Sequence, residues 1–151
     1  MAEVLRHARR FDEAILQAQR ALDLNPNFGR AHAVVGHCYL ALGKLDAAIE
    51  EHRRSGNTGG NLGFAYAVAG RRKEARAILD ALEKRYIATY GGAGEIAQVY
   101  IGLREFDKAF EWLSRAVDDG SVWTLKVAVV WDPLRSDPRF ETLLRKTGYG
   151  K

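Results

Sequence analysis

The stretch FDEAILQAQRAL, which begins at Phe11, places a small residue among larger apolar ones, and the same arrangement returns three times along the chain. The four segments and their matched alanines are FDEAILQAQRAL with Ala14, LDAAIEEHRRS with Ala48, RKEARAILDAL with Ala75, and FDKAFEWLSRA with Ala109. The alanines are separated by 34, 27 and 34 residues. The chain is therefore built from internal repeats, and one interval is shortened by seven residues.

A second small position precedes each of the last three segments, with an aromatic residue three places after it. The pairs are Gly36 with Tyr39, Gly63 with Tyr66, and Ala97 with Tyr100, and Ala2 with Leu5 is a weaker copy. Two antiparallel helices approach closely only where their side chains are small, and large neighbours fill the space around the crossing. The pattern predicts one antiparallel helix pair in each repeat.

The predicted turns carry residues that end helices. Gly43 lies in ALGK and Gly70 in VAGR, each between the two helices of a repeat, where a left-handed residue commonly ends the first helix. Pro26 lies at the end of the first repeat and would break a helix there.

These matched positions resemble the tetratricopeptide repeat family over roughly residues 1–119. The resemblance implies an all-α, right-handed superhelix of antiparallel helix pairs, with a concave groove that binds peptides or helices. We expect a single domain over residues 1–151, with repeats at about 1–28, 29–56, 57–89 and 90–120 and a C-terminal cap at 121–148. The tail, WDPLRSDPRFETLLRKTG from Trp131, resembles the end of repeat regions in bacterial signalling and transcription-regulator proteins.

Two parts of the chain depart from a regular repeat. The shortened interval predicts a short second helix in repeat two, followed by a loop at residues 55–60, and then a long helix at residues 72–89. After repeat four, residues 121–130 predict a further helix. Asp137 and Pro138 predict the start of a capping helix, because aspartate is a favoured N-cap and proline a favoured first helical residue.

Composition narrows the functional classes. The chain has 151 residues, of which 47% are hydrophobic and 28% charged, with a net charge of +4. No apolar stretch approaches the roughly 20 residues that a membrane-spanning helix needs. The lone cysteine, Cys38, excludes an internal disulfide. We expect a soluble cytoplasmic protein without a secretory signal.

The first helix of each repeat should line the groove, and helical spacing selects the residues beside its core stripe. The predicted groove residues are Ala33, His37, Leu40, Ala41, Phe64, Ala67, Val68, Gln98 and Ile101. They are mostly small and apolar, so an apolar peptide or amphipathic helix would suit them, with His37 and Gln98 as polar contacts. The alternative is that several of these residues pack against the next repeat. Some family members clamp a carboxylate with basic and amide residues, and this groove lacks such a set.

Basic residues fall at the turn inside each repeat. A possible basic edge comprises Arg9, Arg10, Lys44, Arg71, Arg72, Lys73 and Arg104. Such an edge could meet an acidic protein or a phosphate backbone. Because no stacking aromatic residues alternate with these charges, a solvated edge is favoured and nucleic acid is disfavoured.

Catalytic, metal and cofactor sites are not predicted. The glycine-rich stretches GNTGGNLG and GGAG are followed by no Gly-Lys-Ser/Thr motif, so loops and close packing explain them better than phosphate binding. His32 and His37 are five residues apart, which is poor ligand spacing on a helix. Trp112 and Trp123 are expected in the core.

Two functional classes follow. The first is a module that binds another protein in its groove. The second is a self-association element, because apolar residues of repeat one, namely Leu5, Ile15, Leu16 and Leu22, have no preceding repeat to cover them. These uncovered residues indicate that the chain is either part of a longer protein or pairs with a second copy. An enzyme is not supported.

Overall fold

The computed structural model describes residues 1–122 and 124–148, and every regular element in those ranges is helical. The predicted all-α class is therefore confirmed. The α-helices are α1 (Ala2–His7), α2 (Phe11–Leu24), α3 (Gly29–Ala41), α4 (Leu45–Arg54), α5 (Gly60–Val68), α6 (Arg72–Thr89), α7 (Ala93–Gly102), α8 (Phe106–Asp118) and α9 (Pro138–Lys146), with a 3-10 helix (Val129–Leu134) before α9.

The matched alanines lie at the helix crossings. Ala14, Ala48, Ala75 and Ala109 are all fully buried, and each lies on the second helix of a packed pair. The pairs are α1 with α2, α3 with α4, α5 with α6, and α7 with α8. Because alanine adds little bulk, it lets two helix axes come close while the larger neighbours fill the flanks. The repeat limits given above stay a prediction.

The turn inside each repeat contains one left-handed residue. Gly43 (φ 72°) and Gly70 (φ 77°) fill this position in repeats two and three, as predicted. Arg9 (φ 59°) and Arg104 (φ 63°) adopt the same conformation in repeats one and four without being glycine. The turn geometry is thus shared by all four repeats, although the residue that supplies it is not.

The shortened repeat changes how neighbouring repeats pack. As expected, α4 is short, α5 begins at Gly60, and α6 runs for 18 residues. The helices α5 and α7 pack closely, whereas α3 and α5 scarcely approach each other. At the α5–α7 crossing, a Cβ on Gly63 would lie 2.6 Å from Val99 Cγ2, and one on Gly102 would lie 2.7 Å from Ala67 Cβ. Glycine therefore permits the close crossing of α5 and α7, whereas a gap remains between α3 and α5.

The buried apolar residues form three groups. The largest holds repeats three and four together with the C-terminal segment. A second group belongs to repeats one and two. Between them lies a small group of Ile49, Leu62 and Ala65, which joins α4 to α5. The core is thus thinnest where the short repeat meets its successor.

The prediction of a helix at residues 121–130 is wrong. This segment contains a turn at residues 124–127 and then enters the 3-10 helix, which includes Pro133. Two causes act together: Val127, Val129 and Val130 are β-branched and weaken a helix, and proline removes a backbone donor. Burial of Leu125 and Trp131 against repeat four holds the irregular path in place.

The capping helix α9 begins as predicted. The Asp137 carboxylate accepts a hydrogen bond from the Arg139 backbone N–H at 2.9 Å, and Pro138 is the first helical residue. Phe140 and Leu143 are buried against the core. Trp112 is half-buried and packs edge-to-face on Tyr86, whereas the prediction for Trp123 lies outside the described residues. None of the described helices is long and apolar enough to cross a membrane.

Candidate functional site

The gap between α3 and α5 opens into a cavity of about 200 Å³ on the concave side of the helix stack. All four repeats and the C-terminal segment contribute to its wall. The lining residues are Arg6, Phe11, His37, Leu40, Ala41, Asn61, Phe64, Val68, Gln98, Thr124, Ala128, Val129 and Val130. The cavity thus lies between α3 and α5, the first helices of the short repeat and of its successor.

Most of the predicted groove residues come together in this cavity. Six of the nine line it, namely His37, Leu40, Ala41, Phe64, Val68 and Gln98. Ala33 is half-buried on α3 and lies outside the lining. Ala67 and Ile101 are only 7% and 3% exposed, and both belong to the core of repeats three and four. The close α5–α7 crossing buries Ala67 and Ile101. For these two residues the alternative interpretation, packing against the next repeat, therefore applies.

Seven lining residues were not predicted from the sequence. Arg6 and Phe11 come from repeat one, Asn61 from α5, and Thr124 and residues 128–130 from the C-terminal segment. Helical periodicity gives no signal for the C-terminal group, because its path over the groove is not helical until residue 129. The segment lies over the concave face and leaves a cavity instead of an open groove.

Two histidines form part of the cavity wall and its support. The ring of His52, from α4, packs edge-on against the ring of His37, with the centroids 4.9 Å apart. His52 is fully buried, and neither of its ring nitrogens has a hydrogen-bond partner among the described residues. Burial, with a smaller contribution from His37, lowers the pKa of His52 to about 3. Burial and the nearby Arg6 charge also lower the pKa of His37, so both rings are neutral at physiological pH.

The remaining polar groups of the wall carry little net charge. The Arg6 guanidinium donates two hydrogen bonds to Glu3, at 3.0 and 2.9 Å, which neutralise it. The Gln98 Oε1 atom is buried and accepts no hydrogen bond from the described residues. The cavity wall is therefore largely apolar and nearly neutral, and its uncharged polar residues are His37, Asn61, Gln98 and Thr124.

An ion pair spans the two ends of the helix stack beside this cavity. The Arg9 guanidinium donates two hydrogen bonds to the Asp132 carboxylate, at 3.0 and 2.8 Å, and Arg135 Nε donates a third at 2.7 Å. Partial burial would raise the pKa of Asp132, but the hydrogen bonds from Arg135 and Arg9 outweigh it and hold the pKa below its usual value. Repeat one is thereby tied to the C-terminal segment.

The predicted basic residues are all exposed. Several are neutralised by nearby acids, and the pairs are Arg9 with Asp132, Arg10 with Glu13, Arg71 with Asp46, and Arg72 with Glu105. These pairs reduce the positive potential that a phosphate backbone would require.

A second cleft, of about 620 Å³, lies between the α7–α8 turn and the start of α9. Its charged groups compensate one another, since Arg139 contacts Asp107 at 2.8 Å and Asp137 at 2.7 Å. Six of its eleven lining residues are charged, against one of thirteen in the first cavity, so the concave cavity is the better candidate site.

Other polar residues singled out in the sequence have structural partners. His32 bonds Glu51 through Nδ1 at 2.7 Å and the Pro26 carbonyl through Nε2 at 2.8 Å. The Gly60 N–H donates to Glu95 at 3.0 Å, and a Cβ on Gly60 would lie 2.7 Å from Glu95 Cα. This glycine-rich stretch therefore serves a close approach between α5 and α7. In the described ranges, no three His, Cys, Asp or Glu side chains gather as metal ligands would.

Comparisons with known proteins agree with this architecture. The family model described as tetratricopeptide repeat matches residues 5–55. A comparison with curated protein sequences gives no significant match. Among solved structures, the crystal structure of MamA is similar over 97% of this chain and 92% of that chain, with a TM-score of 0.51 and 20% sequence identity. The described chain therefore has the predicted solenoid of antiparallel helix pairs, and its residues 5–55 match the tetratricopeptide repeat.

Proposed function

We propose that this protein binds an apolar segment of another protein in the concave cavity between α3 and α5. The observation that carries the proposal is the cavity itself, because one neutral, largely apolar wall is assembled from four repeats. Tetratricopeptide repeats generally serve protein–protein interaction, which agrees with such a site. Leu40, Phe64 and Val68 would supply apolar contact, and His37 and Gln98 would position polar groups of the partner.

A pair of matched variants tests this proposal. Val68 lines the cavity and is 42% exposed, so Val68→Arg adds a charge to the wall with little risk to folding. Ile87 is 73% exposed and lies outside the lining, so Ile87→Arg is the control. We expect at least about a tenfold loss of captured partner with Val68→Arg and none with Ile87→Arg, because an apolar segment would have to desolvate the guanidinium on the cavity wall. Quantitative affinity capture with the full chain measures both, and equal capture by the two variants would refute the groove site.

Self-association is the second candidate. Apolar side chains of repeat one are exposed, including Val4 at 66%, Leu16 at 54% and Leu24 at 90%. Such a surface could pair with a second copy and bury these residues. Light scattering over a concentration series tests it: we expect a dimer that Leu16→Glu dissociates, and a monomer at every concentration would remove this candidate.

The cellular setting is also a proposal. We infer a cytoplasmic role within a bacterial regulatory protein from the single cysteine and from the resemblance of the tail. The buried Cys38 has no second cysteine in the sequence to pair with, which suits a reducing compartment. No catalytic role is proposed, since tetratricopeptide repeats generally serve as non-catalytic scaffolds.

A further inference from the structure

The molecule packs as two bodies with the cavity between them. The apolar core of repeats one and two is separate from that of repeats three and four and the C-terminal segment. On one side the bodies are joined through the small group of Ile49, Leu62 and Ala65. This junction borders the loop at residues 55–60, where Gly56 has a φ of 72°. Few buried contacts therefore resist a rotation about this loop.

On the other side, the Arg9–Asp132 ion pair joins the two bodies. Asp132 is held firmly, because its neighbour Trp131 and the nearby Leu134 are each only 1% exposed and Arg135 also bonds its carboxylate. Arg9 projects from the left-handed turn between α1 and α2. The pair thus joins the turn after α1 to the 3-10 helix, close in sequence to the cavity residues Phe11 and Val130.

The size of the closed cavity limits what can enter it. One turn of an α-helix about 10 Å across occupies about 400 Å³, which is twice the cavity volume of about 200 Å³. In the closed form the cavity can accept an apolar side chain or a short extended segment. A helical segment requires the two walls to separate.

We propose that the Arg9–Asp132 ion pair is a latch on the concave groove. When the pair is formed, the groove admits only a short extended segment. When it breaks, repeats one and two rotate about residues 55–60 and open the groove to an apolar helical segment of a partner protein. This regulation rests on the function proposed above for the same groove.

The latch has a modest strength. The Arg9 and Asp132 side chains are 54% and 31% exposed, so water and salt screen the pair. A partly exposed pair of this kind changes the ratio of closed to open forms by about 1.5-fold to 5-fold. Such a bias can be reversed by a binding partner or by ionic strength.

Two matched variants isolate the latch. Arg9→Gly removes the ion pair while keeping a residue suited to the left-handed turn. Arg104→Gly makes the same change of charge and backbone at the equivalent turn of repeat four, and Arg104 lies outside the cavity lining. The reporter is Ala128→Cys in the full chain, because Ala128 lines the cavity and is only 6% exposed. Val130→Cys provides a second reporter in the same wall.

The measurement is the labelling rate of the reporter thiol by N-ethylmaleimide, a neutral reagent whose access to the buried Ala128 position requires opening. We expect Arg9→Gly to raise the rate about 1.5-fold to 5-fold and Arg104→Gly to leave it unchanged. Addition of 1 M NaCl should raise the rate of the latched protein toward that of Arg9→Gly. Equal rates for the two glycine variants at both reporters would overturn the latch. No partner is present in this assay, so its failure is distinct from a failure of the Val68→Arg test.

Discussion

The imidazole ring of His52 meets the ring of His37 edge-on, with an interplanar angle of 80°, and Gly36 makes room for it. A Cβ on Gly36 would lie 2.9 Å from His52 Cε1. The small residue on α3 is therefore matched to a large, unbonded imidazole on α4. This arrangement supports His37 at the cavity wall and keeps His52 away from water.

Acid should destabilise the protein through His52. Its pKa is about 3 in the folded chain against 6.5 for the unperturbed group, so the unfolded state binds more protons between these values. Stability is then fully present above pH 6.5 and is lost as the pH falls toward 3. We expect His52→Leu to reduce the slope of unfolding free energy against pH by about 1.4 kcal/mol per pH unit between pH 6 and 4. Denaturant titrations at several pH values measure this slope, and parallel curves for the two proteins would contradict it.

The close α5–α7 approach should not tolerate a methyl group at Gly60. Its Cβ would lie 2.7 Å from Glu95 Cα and 2.8 Å from the Glu95 carbonyl oxygen, and backbone atoms cannot move aside easily. We expect Gly60→Ala to cost about 1–3 kcal/mol of unfolding free energy. Gly94→Ala is the control, because its Cβ would meet Ala116 Cβ at an ordinary 3.8 Å and alanine favours a helix. Thermal unfolding that ranks the two variants equally would exclude a packing role for Gly60.

The left-handed turns offer opposite substitutions at equivalent positions. Arg104 (φ 63°) is strained, so Arg104→Gly should raise the unfolding free energy by about 0.5–1 kcal/mol. Gly70 (φ 77°) has open space around its Cβ position, so Gly70→Ala tests the backbone alone and should cost about 1–2 kcal/mol. Chemical denaturation measures both changes. A destabilised Arg104→Gly variant would show that side-chain contacts at this turn outweigh backbone strain.

The thiol of Cys38 should be inert in the native protein. The residue is fully buried, and burial raises its pKa from 9.0 to about 11. The thiolate fraction at neutral pH is then about 100-fold lower than for an ordinary cysteine, before access is considered. We expect negligible labelling by N-ethylmaleimide in buffer and complete labelling in denaturant, as followed by mass spectrometry. Rapid native labelling would mean that the α2–α3 core opens readily.

Much of the fold could be predicted because its signals are local. A buried alanine at each crossing, glycine in two of the turns and an N-cap at Asp137 follow from spacing and from the conformations that single residues allow. The left-handed Arg9 and Arg104 gave no such signal, because arginine has no preference for that conformation. The predicted helix at residues 121–130 failed because burial against repeat four and a proline overrode a weak helical pattern.

The sequence by itself determined the helix pairs, the shortened repeat and the six groove residues that gather in the cavity, since these depend on helical periodicity. Tertiary structure decided the gap between α3 and α5, the burial of Ala67 and Ile101, and the meeting of Arg9 with Asp132. Those features depend on how successive repeats rotate and on where an irregular C-terminal segment lies. Such relations join residues of different repeats, 123 positions apart in the case of Arg9 and Asp132, and no local spacing encodes them.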